Sequence, residues 1–204
     1  MYPMADHLDG PALLALHARA LAHFGDLVRA VPDDAWQAPT PCTDWTVRQL
    51  VNHLAAEQLW VPALLAGATV AEVGDRFDGD VLGADPLAAW AAAATGALAA
   101  LAEPGALERT VHLSYGDREA AGYAREMTVD AVVHAWDLAQ GIGADATVDP
   151  VAAEFALAEL TPHTDALAAS GVFAAPVPVP ADADAATRLL GLVGRDPAHP
   201  LGRR

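Results

Sequence analysis

Four helix-start signals constrain the fold of this sequence more than any other feature. Each combines a side chain that can cap a helix N-terminus with a proline suited to the first turn, or with a glutamine three residues later that completes a capping box. The four capping residues are Asp9, Thr46, Asp85 and Asp149. Apolar residues recur at helical spacing after Asp9 and after Thr46, and an alanine-rich stretch follows Asp85. These signals together predict a helical bundle.

Five helices are predicted from these signals and from the glycines and prolines that end each segment. In order, they run from near Asp9 and Pro11 to Val31, from Thr46 to Gly67, from Asp85 to just before Pro104, from Arg125 to Gln140 with closure at Gly141 or Gly143, and from Pro150 to Ala169. The stretch 69–83 is predicted to be a loop, and 108–123 alternates around a Tyr-Gly-Asp turn, which favours a short hairpin. Beyond Gly171, repeated Val-Pro pairs predict an extended tail that contains a short apolar segment at 187–193.

Composition supports helices and excludes several functions. Of the 204 residues, 53% are hydrophobic but only 6% are aromatic, which favours long helices packed through small side chains. The sequence contains no lysine, so a lysine Schiff base and a P-loop are excluded. A net charge of −16 repels phosphate backbones and anionic lipids, so neither nucleic acid nor a membrane is expected as a partner.

Cysteine usage and the N-terminus bear on the cellular compartment. Cys42 is the single cysteine, so no internal disulfide can form and nothing indicates an oxidising environment. The first ten residues lack the basic and apolar regions of a signal peptide, and no apolar run approaches the ~18 residues of a membrane span. We therefore expect a cytoplasmic protein.

The fourth predicted helix, REMTVDAVVHAWDLAQ, carries the strongest chemical signal. Glu126, Asp130, His134 and Asp137 fall within an arc of about 80° when each residue advances 100°. Asp130 and His134 are four residues apart, so their side chains emerge as neighbours that could converge on one cation. The ordinary interpretation of such an acidic arc is a solvated helix face, and spacing by itself does not decide between the two.

A further ligand must come from another helix, because one helix rarely surrounds a metal ion. His53 on the second helix is the best candidate, since it flanks that helix's apolar stripe and a neighbouring helix could reach it. Glu57 lies one turn later and is interpreted either as an extra ligand or as the salt-bridge partner of an arginine. Two imidazoles and one carboxylate are typical of catalytic zinc sites, which leave a position open for water or substrate.

Three stretches resemble a known family: PTPCTDWTVRQLVNHL at 39–54, DAVVHAWDLAQGIG at 130–143 and GLVGRDP at 191–197. They are similar to actinobacterial metal-binding proteins related to the N-terminal domain of mycothiol-dependent maleylpyruvate isomerase, within the DinB/YfiT-like superfamily. The resemblance covers nearly the whole chain. It implies a single DinB-like domain over 1–204, an all-α four-helix bundle with an additional helix, and a tail at 171–204 that packs on it.

The resemblance also implies a divalent metal ion, zinc above nickel or manganese, held by His53, Asp130 and His134. The acid here is Asp130, which is one methylene shorter than the glutamate of the isomerase. Asp137 matches the family pattern, and orientation of a ligand is the role that we expect for it. The isomerase carries a smaller C-terminal domain, in whose place this chain has only its short tail.

Several functions are compatible with the same residues. The first is a metal-dependent transferase or isomerase that activates a low-molecular-weight thiol of the mycothiol type as cosubstrate for a small-molecule substrate. A hydrolase would use the same ligands to activate water. The metal could instead be a structural element of a non-catalytic binding protein, or the bundle could be an interaction protein with a vestigial site. Catalysis and a homodimer are both left open by the sequence.

Overall fold

The structure, a computed structural model, describes residues 8–43, 45–164 and 173–199. In chain order its helices are α1 (Gly10–Ala30), α2 (Val47–Leu65), the single-turn α3 (Val70–Val73), α4 (Pro86–Leu101), α5 (Ala120–Ile142), α6 (Pro150–Leu160) and α7 (Ala185–Leu192). Between α4 and α5 lie two antiparallel strands, β1 (Thr110–Leu113) and β2 (Gly116–Glu119). The described chain is therefore mostly helical, as predicted, and its only sheet is this hairpin.

Four long helices form the bundle. Helix α1 packs against α4 and α5, and α2 also packs against α4 and α5, so the order around the bundle is α1, α4, α2, α5. The core between them is aliphatic with a few aromatic rings, and its largest fully buried side chains include Phe24, Leu50, Leu54, Leu101 and Leu138. Helix α6 covers α5, and α7 covers α6. This order makes α2 and α5 direct neighbours, which matters for the site below.

The four helix starts predicted from capping residues are confirmed. Asp9 accepts a hydrogen bond from the backbone N–H of Ala12 at 2.9 Å, and Asp85 and Asp149 cap α4 and α6 in the same way. Thr46 and Gln49 form the complete capping box at the start of α2. Because these caps are made within three residues of sequence, local chemistry was sufficient to predict them.

Several boundaries differ from the prediction. Helix α5 begins at Ala120, five residues before the predicted start, and the two residues between the strands are Ser114 and Tyr115 instead of a Tyr-Gly-Asp turn. The predicted loop 69–83 contains α3, which has a capping box of its own. Helix α6 ends at Leu160 and continues as a 3-10 turn to His163; the predicted extension to Ala169 falls outside the described residues beyond 164.

The tail was predicted to be extended, and this was wrong in part. The described residues 173–180 have no helix or strand, but 185–192 form α7, which is capped by Asp184 and buries Leu189 and Leu190. The backbone N–H of Val177 donates to the carbonyl of Gly191 at 2.8 Å, so the segment 173–180 lies against the helix. Residues 171, 172 and 200–204 of the predicted tail lie outside the description. In the described part of the chain, no helix has the length and apolar character needed to cross a bilayer.

Candidate metal centre

The three predicted ligands, His53, Asp130 and His134, lie together between α2 and α5. One possible ligand atom from each is within 4.8 Å of those of the other two. The carboxylate of Asp130 lies between the imidazoles, with Oδ2 at 3.3 Å from Nε2 of His53 and Oδ1 at 3.4 Å from Nε2 of His134. In a tetrahedral zinc site with bonds of about 2.1 Å, neighbouring ligand atoms are about 3.4 Å apart, so these separations suit one shared ion.

Trp45 packs against both imidazoles. Its ring centroid is 4.5 Å from that of His53 and 5.6 Å from that of His134, and the two histidine rings meet edge to face at 5.3 Å. Trp45 immediately precedes the Thr46 cap, so the start of α2 also positions this aromatic wall. The loop before α2 can approach α5 closely because α5 has Gly141 there, where a Cβ would meet side-chain carbons of Thr40 and Val47 at 3.1 Å.

A buried ion pair orients His134. Nδ1 of His134 is 2.9 Å from Oδ2 of Asp137, and Arg195 donates to both carboxylate oxygens of Asp137, from Nε at 3.1 Å and from Nη2 at 2.6 Å. All three side chains are buried, Asp137 completely. Because a carboxylate can only accept, Nδ1 of His134 carries the hydrogen in this bond. In a neutral imidazole, Nε2 then presents its lone pair toward Asp130.

The electrostatics of the cluster favour ionised carboxylates. Burial acts to raise the pKa of Asp130, but the neighbouring His134 and His53 outweigh it and hold that pKa below its usual range. The pKa of Asp137 is also lowered, since its hydrogen bonds with His134 and Arg195 outweigh the effect of burial. For His53, burial acts to lower the pKa, but the close, negatively charged carboxylate of Asp130, 3.3 Å from Nε2, raises it above the ordinary value.

These residues fit a divalent cation. The Oδ2 atom of Asp130 is buried and accepts no hydrogen bond of normal geometry from any described residue. Its Oδ1 faces the lone pair of His134 Nε2, and two such electron-rich atoms repel each other unless positive charge lies between them. A proton or a metal ion can supply that charge, and the two imidazoles with one carboxylate are a donor set that zinc binds well.

The two other acids named from the sequence occupy different positions. Glu57 is half-buried beside the cluster, where burial and the charge of Asp130 raise its pKa more than the two histidines lower it. Glu57 forms no ion pair with an arginine among the described residues, which contradicts its interpretation as the salt-bridge partner of an arginine. Glu126 contacts Tyr115 and Arg118 of the hairpin instead of the cluster. The acidic arc of α5 is therefore not a solvated face, since it passes from a surface end at Glu126 to the buried Asp137.

Sequence reasoning missed two residues of this centre, Trp45 and Arg195. The position of the Trp45 indole beside two histidines depends on how the loop docks on α5, which no local pattern of the sequence indicates. Arg195 lies 58 residues after Asp137, and no spacing rule connects them. Its one signal was its place in the third resembling stretch, GLVGRDP, to which no role had been assigned.

An open cleft of about 560 Å³ lies beside His53. Trp45, Asn52 and His53 line it from the side of α2, and Phe77 and Asp80 line it from the loop that follows α3. Asn52 fixes this loop, because its side chain donates to the carbonyl of Gly79 and accepts from the N–H of Val81, both at 2.8 Å. The cleft therefore gives a small molecule access to the His53 side of the cluster.

Comparison with known proteins agrees with this architecture. The profile of the mycothiol maleylpyruvate isomerase N-terminal domain matches residues 17–139, a range that includes all three candidate ligands and Asp137. Two uncharacterised proteins of Mycobacterium tuberculosis, from strains CDC 1551 and H37Rv, are each 34% identical to the chain over 137 residues, which is 67% of this chain and 71% of theirs. No solved structure shows significant similarity. The chain belongs to the family of the mycothiol maleylpyruvate isomerase N-terminal domain.

Proposed function

We propose that the chain binds one divalent metal ion, zinc before nickel or manganese, through His53, Asp130 and His134. We further propose that it uses this ion in a thiol-dependent transfer or isomerisation. The observation that carries the proposal is the position of Asp130, whose ionised carboxylate lies 3.3 and 3.4 Å from two imidazole nitrogens. Family membership supports the thiol, because the family is named after a mycothiol-dependent isomerase domain.

The chemistry divides between the ion and the side chains. A bound divalent ion would supply the positive charge that lowers the pKa of a thiol, so that the thiolate forms at neutral pH. Asp137 and Arg195 keep the ring of His134 oriented while a ligand enters or leaves. The cleft beside His53 admits the thiol and an electrophilic substrate. Glu57 has no hydrogen-bond partner among the described residues, so it is the carboxylate that we assign to receive the thiol proton.

Metal content tests the first half of the proposal. Tag-free wild type and the variant His134→Ala are purified identically and measured by inductively coupled plasma mass spectrometry. About one divalent ion per wild-type chain and little in the variant are expected. The matched control is His163→Ala, an exposed histidine away from the cluster, which should retain the ion. An empty wild type after zinc, nickel and manganese have each been offered would overturn the site.

Thiol dependence tests the second half. Cobalt replaces the native ion, and its visible spectrum is recorded while a low-molecular-weight thiol is added. The spectrum should change saturably, and turnover of an electrophile panel should require the thiol. Inhibition by the thiol with turnover in its absence would favour a hydrolase. An unchanged spectrum without turnover would favour a structural ion. Glu57→Gln should keep its metal and lose most of the thiol-dependent rate.

A further inference from the structure

A second cavity of about 260 Å³ lies on the opposite face of α5 from the metal cluster. Its wall is formed by α1, by α5 and by the segment that leads into α6. On α5 it uses Ala131, Val132, Ala135 and Trp136, which lie between 100° and 240° around the helix from Asp130 when each residue advances about 100°. The cavity is therefore separate from the candidate metal centre, and a ligand bound there would not depend on the proposed function.

The lining of this cavity includes polar side chains that have no protein partner among the described residues. Three hydrogen-bond donors line it, Arg19, His23 and Trp136, and none of them has an acceptor or an ion-pair partner among the described residues. Trp136 is 4% exposed as a whole, and its indole N–H has no acceptor among the described residues and is open to solvent in the cavity. An unpaired N–H in such a position costs free energy unless water or a ligand accepts its hydrogen bond.

Two carboxylates belong to the segment that leads into α6, Asp149 in the lining of the cavity and Asp145 just before it, and each uses one oxygen in a local hydrogen bond. Asp149 accepts from the N–H of Ala152 at 2.9 Å and so caps α6. Asp145 accepts from the N–H and the hydroxyl of Thr147, at 3.0 and 2.7 Å. Both carboxylates keep their second oxygen as an acceptor, so the anion preference rests on Arg19, the one guanidinium of the lining, which forms no ion pair with a described residue and is complemented by an anion.

We propose that this cavity binds a small monocarboxylate with a compact apolar body. The carboxylate would accept from Arg19 and from the indole of Trp136, since charge-assisted bonds to guanidinium groups are stronger than neutral ones. The apolar body would pack on Leu16, Ala20 and Val132, which form the floor. A single negative charge suits the site better than a phosphate dianion, because Asp149 is close and the whole chain carries −16.

The test monitors the indole N–H of Trp136 directly. The chain has five tryptophans, so a nitrogen-15 correlation spectrum should show five indole signals, and the one lost in Trp136→Phe belongs to Trp136. Benzoate is the probe, and benzamide and benzyl alcohol are its neutral counterparts. Benzoate should shift this signal saturably at ~1–10 mM, as expected for a ligand of so few atoms, and the neutral compounds should bind far more weakly.

Two arginine variants decide the outcome even if Trp136→Phe does not fold. Arg19→Gln removes an exposed charge from the cavity and should weaken benzoate binding by about tenfold. Arg29→Gln, on the same helix and outside the cavity, should leave binding unchanged. Absence of any benzoate-dependent indole shift, equal binding of benzamide, or equal loss in the two variants would each overturn the proposal.

Discussion

At the scale of single residues, His17 on α1 has an unusual position for an ionisable group. It is completely buried, and Nδ1 lies 3.0 Å from the hydroxyl oxygen of Thr128. The hydroxyl of Thr128 donates to the carbonyl of Ala124 at 2.7 Å, so the imidazole Nδ1 donates in the first bond. Nε2 of His17 then keeps a buried lone pair with no donor among the described residues. Burial lowers the pKa of His17 to about 4.

We predict that His17 makes the free energy of unfolding fall as the pH drops from about 6.5 to about 4. In this window the unfolded chain protonates His17 and the folded chain does not, so the unfolded state binds more protons and stability rises with pH. The full contribution is about 3 kcal/mol. Urea unfolding at several pH values would show this as a smaller pH dependence in His17→Gln than in wild type; parallel curves would contradict it.

Arg195 gives the second prediction at this scale. Removing its charge in Arg195→Met leaves the carboxylate of Asp137 buried without its main partner, which should cost about 3–5 kcal/mol of unfolding free energy. Arg195→Lys keeps the charge but loses the two-point geometry, so it should cost less. In the folded lysine variant, zinc affinity should fall by about 10–100-fold, as expected when the group that orients a histidine ligand is disturbed. A zinc-chelator competition assay measures this, and wild-type affinity would contradict the orienting role.

The candidate ligands were predictable from sequence only in part. The pair Asp130 and His134 follows from helical spacing, and His53 from the flank of its helix together with the resemblance. The contacts of Asp137 with Arg195 and of His17 with Thr128 join residues 58 and 111 positions apart, so they depend on how helices pack and not on any local pattern.

At the scale of elements, the starts of the long helices were predicted where a local cap marks them, and the start of α5, which has no such cap, was not. Thr46 marks the start of α2 with a capping box, whereas Glu119 before α5 makes no side-chain capping bond. No local signal therefore indicated that α5 begins before Arg125. Helix α7 does have a cap, Asp184. It has only eight residues and follows a run of Val-Pro pairs, so the sequence did not indicate a helix there.

The connection from α7 to Arg195 gives a prediction about an element. Gly194 has a φ of +77°, and a Cβ there would lie 2.6–2.8 Å from atoms of Ala174, including its backbone. Gly194→Ala combines backbone strain of about 1–3 kcal/mol with this clash, so it should displace the segment 173–180 and the Arg195 contact. Gly67→Ala is the matched control, because φ is +87° with nothing within 4 Å of the added Cβ. Thermal unfolding should show the larger loss in Gly194→Ala; equal losses would contradict the packing argument.

At the scale of the whole molecule, the candidate site joins two helices that are far apart in the sequence. An ion held by His53 of α2 and by Asp130 and His134 of α5 would bind the folded chain and not the unfolded one. At a free zinc concentration of 100 times the Kd, the expected gain is about 2.7 kcal/mol. For a chain of this size that raises Tm by roughly 5–10 °C.

Differential scanning fluorimetry with and without zinc would measure this shift. His53→Ala, which removes the one ligand from α2, should abolish most of it. A wild-type Tm that does not respond to zinc, nickel or manganese would contradict a site that bridges the two helices.

The distant position of Arg195 has a consequence for how the protein is made. All three candidate ligands have been synthesised once translation passes His134, but Arg195 comes 61 residues later. A chain emerging from the ribosome thus exposes a complete set of ligands before the arginine that pairs with Asp137 exists. Under the proposed metal binding, translation order would separate capture of an ion from the final orientation of His134, and metal supply during synthesis would act on the site earlier than completion of the C-terminal segment.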